Sequence, residues 1–319
     1  MTAPIFELDG RRVWVAGHRG MVGSALVRAL ETRRVETVLA DRSVVDLRRQ
    51  ADVERFVARE RPDVVLLAAA KVGGILANAT YPADYLYDNL AIATNVIHAA
   101  ATSGVAKLLF LGSTCIYPKF ADQPIREEAL LGGALEPTNE WYAIAKIAGL
   151  KLAEAYRRQL GCDFISAMPT NLYGPQDNFD LKSSHVLPAL MRKIHDAKQE
   201  GRDVVEIWGS GNPMREFLHV DDLASACLHL VEHYSDALHV NVGTGLDLRI
   251  AELAELIADV VGFEGRFVYD RSKPDGTPRK LTDSSRLAAL GWSPRYDLRS
   301  GIDMTYRWFQ SQDRLVERV

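Results

Sequence analysis

Short apolar, β-branched runs alternate with helix-length amphipathic stretches through the first half of the chain. Residues 12–16, 36–40, 63–70, 107–111 and 163–168 read as strands, and 64–70 is apolar without a break. Unbroken apolarity of that length marks a strand covered on both faces. Between these runs, 21–32, 52–60, 88–103 and 140–160 carry apolar positions at helical spacing. Strand, helix, strand at this interval predicts an α/β fold with a doubly wound parallel sheet. After Pro169 the texture changes. Pro175, Pro188, Pro213, Pro274, Pro278 and Pro294 interrupt shorter elements, which predicts a smaller second lobe. The expected division is 1–170 as one domain, with 216–245 returning to it, and 171–215 plus 246–319 as the lobe.

Composition adds limits. The 319 residues are 47% apolar, enough for a sizeable core, and the formal charge of -4 is spread without a basic tail. Nucleic acid is therefore not an expected partner. The 64–70 run is far below the ~20 residues of a membrane helix, so no membrane association is expected. Residues 1–12 carry Glu7 and Asp9 and lack the pattern of a signal peptide. Cys115, Cys162 and Cys227 are scattered, with neither disulfide nor metal spacing. A reduced, cytoplasmic protein without a metal is expected.

Candidate chemistry begins at Gly17-His18-Arg19-Gly20-Met21-Val22-Gly23, directly after the first strand and opening the first helix. Glycines there permit a tight turn and let backbone N–H groups approach a pyrophosphate at the helix N-terminus. That is a Rossmann-type dinucleotide turn. Asp41 and Arg42 follow the second strand, where an acidic residue suits free ribose hydroxyls and an arginine a 2′-phosphate. Arg19 and Arg42 favour NADPH; Asp41 favours NADH.

Tyr142 and Lys146 stand at i and i+4 on the long helix, and Ser113 follows the fourth strand at the ligand-binding end of the sheet. A phenol beside an ammonium, and beside the positive charge of an oxidised nicotinamide, is expected to release its proton more readily and to serve a carbonyl/alcohol pair as acid and base. Ser113 is expected to hold the same oxygen. Cys115 lies two residues past Ser113, and His185 just before a helix of the lobe. By itself Cys115 reads more often as a small buried hydrophobe, and His185 reads as readily as a helix-start or surface histidine as a catalyst.

The glycine turn, Ser113 and Tyr142/Lys146 together resemble the extended short-chain dehydrogenase/reductase superfamily. Longer stretches are similar to its GDP-L-fucose synthase family: 16–23, 68–75, 115–119, 135–140, 142–149, 168–175, 208–211, 214–222 and 273–280. The similarity covers essentially the whole chain, loops included, and loops carry function more specifically than cores do. It implies NADPH-dependent 3,5-epimerisation and 4-reduction of GDP-4-keto-6-deoxy-D-mannose to GDP-L-fucose. It implies Cys115 and His185 as the epimerising base and acid, and Leu111, Gly112, Pro169, Asn171, Leu172 and His185 around the cofactor with Lys146. It implies Lys193, Trp208, Arg215 and Asp275 on the substrate, Asp275 at a guanine or ribose edge. A homodimer built on helices 88–103 and 140–160 is expected by the same analogy.

Overall fold

The computed structural model describes residues 3–273 and 275–316; Pro274 lies outside them. Six parallel strands form the main sheet: β1 (Arg12–Ala16), β2 (Glu36–Val38), β3 (Val64–Leu67), β4 (Lys107–Leu111), β5 (Phe164–Pro169) and, after an excursion, β9 (Val240–Val242). Their order is β2-β1-β3-β4-β5-β9. Winding therefore reverses between β1 and β3, and a ligand crevice opens at the carboxyl ends of those strands. The sheet is covered by α1 (Met21–Leu30), α2 (Gln50–Glu60), α4 (Pro82–Thr102), α5 (Glu140–Leu160) and α7 (Val220–His233), while the short α3 (Ile75–Thr80) packs on α4. Val13, Val15 and Leu66 point into the core on one face, and Trp14, Val65 and Leu67 into the core on the other. The doubly wound α/β sheet is as the pattern predicts.

The lobe contains β6 (Asn171–Tyr173), α6 (Val186–Gln199), β7 (Val204–Trp208), β8 (Met214–His219), β10 (Asp247–Arg249), α8 (Ile250–Val261), β11 (Arg266–Asp270) and β12 (Arg279–Lys280), with α9 (Ser285–Ala289) and α10 (Leu298–Val316) closing the chain's described part. Its own core gathers Tyr173, Met191, Phe217, Leu253, Ile302 and Phe309. The chain returns to the main sheet with α7, not with 216–219: β8 stays in the four-stranded lobe sheet with β10, β12 and β6. Residues around α9 also differ from their expected place. Leu287 and Trp292 are buried in the core of the main sheet, and Trp292 Nε1 donates to Ser225 Oγ of α7 at 3.3 Å.

Element ends shift for local reasons. The helix expected from 88 begins at Pro82, whose fixed φ suits a first helical position. The strand expected through 70 ends at Leu67, because the following alanines turn to pack against the glycine turn. Pro188 does not interrupt an element; it occupies the first turn of α6, where no backbone N–H is missed.

One buried carboxylate ties the two parts together. Glu216, on β8, is fully buried and accepts from Thr244 N (2.7 Å), Gly245 N (2.8 Å), Thr282 N (3.0 Å) and Thr282 Oγ1 (2.6 Å). The loop after β9 and the segment after β12 thus close on one side chain. Glu216→Ala strands these donors in the interior, at a cost of roughly 3 kcal/mol or more. A lowered urea midpoint is the expected result; an unchanged midpoint would show that the loops close without it.

Candidate active site

The glycine turn is built for close approach. Gly17 has φ +93°, and a Cβ there would lie 2.7 Å from the Ala69 backbone, so the turn after β1 presses on the loop after β3. A Cβ on Gly23 would lie 2.1 Å from Gly17 O. Helix α1 starts at Gly20 with no side-chain cap and no acid in its first turn, which leaves its N–H groups for an anion. His18 Nδ1 is buried with no hydrogen-bond partner among the described residues. An open helix start, a cradle that a Cβ would fill and an orphaned ring nitrogen fit a dinucleotide.

The structure sorts the charges near the ribose end. Asp41 accepts from Ser43 N (2.9 Å) and Ser43 Oγ (2.5 Å), and Arg19 pairs with it at 2.8 Å. The Ser43 hydrogen bonds, with Arg19 beyond them, hold its carboxyl below the ordinary range. Asp41 is thus occupied in tethering an exposed arginine, while Arg42 leans on Asp46 at 3.5 Å. Both guanidiniums stand on one rim of the site, which suits a 2′-phosphate.

Lys146, buried on α5, donates from Nζ to Leu111 O at 2.8 Å and so fixes the end of β4, which leads into Gly112 and Ser113. Its Nζ is 5.8 Å from the Tyr142 ring centre. Burial, with Cys115 adding to it, pushes the Tyr142 phenol up, and burial pushes the Lys146 ammonium down to about 8. The protein surroundings of the ring by themselves thus favour the protonated phenol. Ser113 Oγ accepts from Cys115 N at 3.3 Å, which leaves the hydroxyl hydrogen to donate elsewhere.

Cys115 sits in a short 3-10 turn (Thr114–Ile116), facing partners that sequence reading had not assigned a role. Asn139 Nδ2 lies 3.5 Å and Lys280 Nζ 3.6 Å from Sγ. Asn139 is the N-cap of α5, yet its side chain turns to the sulfur instead of capping the helix. Glu136, Asn139, Thr277 and Lys280 line a small cavity with Cys115. His185 is the N-cap of α6 with an exposed side chain, and crowding by protein together with Lys280 lowers its pKa. A wider cleft of about 740 Å³ opens beside them, between Pro118 and Pro137, but none of the five candidate reacting side chains lines it.

On the lobe, Trp208 ends β7 half exposed, with Lys193 Nζ 5.0 Å and Lys273 Nζ 5.4 Å from its ring centre. Lys193 also donates to Glu206 O at 3.1 Å. Asp275 accepts from Ser210 N (2.7 Å) and Ser210 Oγ (2.8 Å), so it braces the turn after Trp208, and Arg215 lies within its electrostatic reach. Asn171 Nδ2 donates to Glu216 O at 2.8 Å, and Pro169 and Leu172 flank the same strand junction. Lys273 and Lys280 belong to the 273–280 stretch that the family similarity marks; only their partners, distant in sequence, reveal what they touch. Among the described residues no group of three His, Cys, Asp or Glu side chains stands together to hold a metal ion. Among the described residues no helix is long and apolar enough to cross a membrane.

Comparison with known proteins gives one answer. Residues 13–243 match the model of the NAD dependent epimerase/dehydratase family. GDP-L-fucose synthase of Sinorhizobium fredii is 58% identical over 308 residues, covering 97% of this chain and 98% of that one. A GDP-L-fucose synthetase from Naegleria fowleri bound to NADP superposes with a TM-score of 0.90 at 28% identity, covering 98% of each chain. A GDP-mannoheptose C4 reductase from Campylobacter jejuni with NADP bound gives 0.86 at 38%, covering 96% and 99%. With a family model spanning most of its length and relatives alike from end to end, the chain belongs to the NAD dependent epimerase/dehydratase family.

Proposed function

We propose that the protein converts GDP-4-keto-6-deoxy-D-mannose to GDP-L-fucose, by epimerisation at C3 and C5 and NADPH-dependent reduction at C4. The observation that carries this reading is the 58% identity to a GDP-L-fucose synthase over nearly the whole chain. The placing of Tyr142, Lys146 and Arg215 each within electrostatic reach of Cys115 supports it.

The 17–23 turn with Arg19 and Arg42 would hold the dinucleotide, with Leu111, Gly112, Lys146, Pro169, Asn171, Leu172 and His185 around its reactive end. Bound there, NADPH supplies a hydride. The chain's own residues do the rest. Ser113 donates a hydrogen bond to the C4 oxygen and Tyr142, holding its proton, delivers it to that oxygen as the alcohol forms. During epimerisation the same two donors favour the enolate oxygen over the ketone. Cys115 as thiolate removes a proton next to the ketone, and His185 returns one to the opposite face. Lys193, Arg215 and Lys273 present cations for the diphosphate. Trp208 offers an exposed face for the base, and Asp275 shapes the turn beside it.

The exposed Tyr87 on α4, with Trp141 and Ile144 on α5, gives these two helices an uncovered apolar face, which supports a homodimer. Three free cysteines suit a reducing, cytoplasmic setting.

The test follows nicotinamide absorbance with GDP-4-keto-6-deoxy-D-mannose and identifies the sugar. NADPH oxidation with GDP-L-fucose as product is expected. Another stereoisomer, or turnover only with a heptose, would overturn the fucose assignment. Replacing Arg19 and Arg42 together by alanine should weaken NADPH selectivity about tenfold or more while leaving NADH use little changed. Equal losses with both cofactors would move the 2′-phosphate elsewhere.

A further inference from the structure

We propose that Asn139 is a positioning residue for epimerisation: its amide holds the Cys115 sulfur toward the sugar. That role rests on Cys115 being one of the epimerising pair. Asn139 Nδ2 donates to Cys115 Sγ at 3.5 Å, and both residues line one small cavity with Thr277 and Lys280.

What the asparagine leaves undone points the same way. It is the N-cap of α5, a place where an asparagine side chain ordinarily accepts from a backbone N–H of the first turn. Here it makes no such bond. Its Oδ1 is buried with no hydrogen-bond partner among the described residues. A missed cap and a stranded acceptor both cost stability. The one side-chain hydrogen bond that Asn139 makes among the described residues goes to the sulfur. A local rule broken with no local gain marks a functional constraint.

The sulfur needs such a hold. The Cys115 backbone is set by the 3-10 turn, where its N–H donates to Ser113 Oγ at 3.3 Å. One torsion then decides where Sγ stands, with three staggered choices. The Asn139 amide favours the choice that keeps Sγ at the cavity. Sulfur accepts from an amide N–H as thiol or as thiolate, so the hold persists while a proton is transferred. Asn139 also stands three residues before Tyr142, at the start of the same helix. The amide that aims the sulfur and the phenol that serves the C4 oxygen therefore share one rigid element. Carbons C3 and C5 both adjoin C4, so a fixed separation between the two groups is what proton removal requires. A reacting group misplaced by about 1 Å loses on the order of 10²-fold.

The experiment compares Asn139→Ser and Asn139→Asp in the full-length enzyme with NADP+ bound. Both replacements cap helices well, neither offers an amide N–H to the sulfur, and aspartate keeps the shape. In both, the kcat of solvent-deuterium exchange at sugar C3 and C5 should fall about tenfold or more. KM for GDP-4-keto-6-deoxy-D-mannose should stay within about twofold. The urea midpoint should stay at or above the parent value, because a cap is gained. Reduction of an already epimerised keto-sugar, measured separately with NADPH, should change only a few-fold, since Tyr142 keeps its helix. Exchange at the parent rate in either variant would overturn the proposal. A lowered midpoint with exchange and reduction falling together would also overturn it, making Asn139 a prop of α5. Exchange that persists in Cys115→Ala would instead sink the role of Cys115 itself, a result that the Asn139 variants cannot imitate.

Discussion

Tyr142→Phe should lower NADPH-dependent reduction by about 10²–10⁴-fold, the range lost when a positioned general acid is removed. The structure explains why the loss should be chemical. Packing holds the phenol protonated, so at neutral pH the residue is a ready donor without prior protonation. Its hydroxyl makes no hydrogen bond to the described residues, so phenylalanine should preserve the fold. NADPH affinity should also stay near the parent value, because Lys146 remains anchored on Leu111 O. Solvent-deuterium incorporation at C3 and C5 should continue, slowed only by the loss of one donor to the enolate oxygen, since Ser113 still provides the other. A variant that reduces at the parent rate would remove Tyr142 from the proton-donor role. Loss of exchange and reduction together, with NADPH binding intact, would place Tyr142 in both steps equally.

How far the sequence spoke for this site depends on the kind of signal each residue leaves. Val64–Leu67 and the strands beside it are legible because a doubly covered strand has to be apolar throughout. Gly17 and Gly23 are legible because a Cβ at either would strike backbone, and that requirement stands at a fixed distance from the strand. Tyr142 and Lys146 share a helix face, so their spacing can be read directly. Long-range partners leave no such trace. Lys280 meets Cys115 across 165 residues, and Trp208 meets Lys273 across a strand pairing that no local pattern specifies. Glu216 reads as an ordinary polar position in β8 until Thr244 and Thr282 are seen to donate to it. Burial of the Tyr142 ring, a property of the whole fold, leaves no local trace either.

Cys115→Ser should cut solvent-deuterium exchange at C3 and C5 by about 10²–10³-fold while leaving reduction of an already epimerised keto-sugar largely intact. Serine keeps the size and the hydrogen-bonding partners, Asn139 and Lys280, so the cavity should stay as it is. What it lacks is an accessible anion. A thiol ordinarily ionises near pH 8.5, within reach of a neighbouring ammonium, whereas an alcohol stays protonated throughout the working range. The lowered pKa of His185 makes its imidazolium a minority species at neutral pH. A serine variant that exchanges at the parent rate, with the same profile, would assign the base to another group facing the sugar. His185 would then be first to examine, because its lowered pKa already leaves it neutral and able to accept a proton.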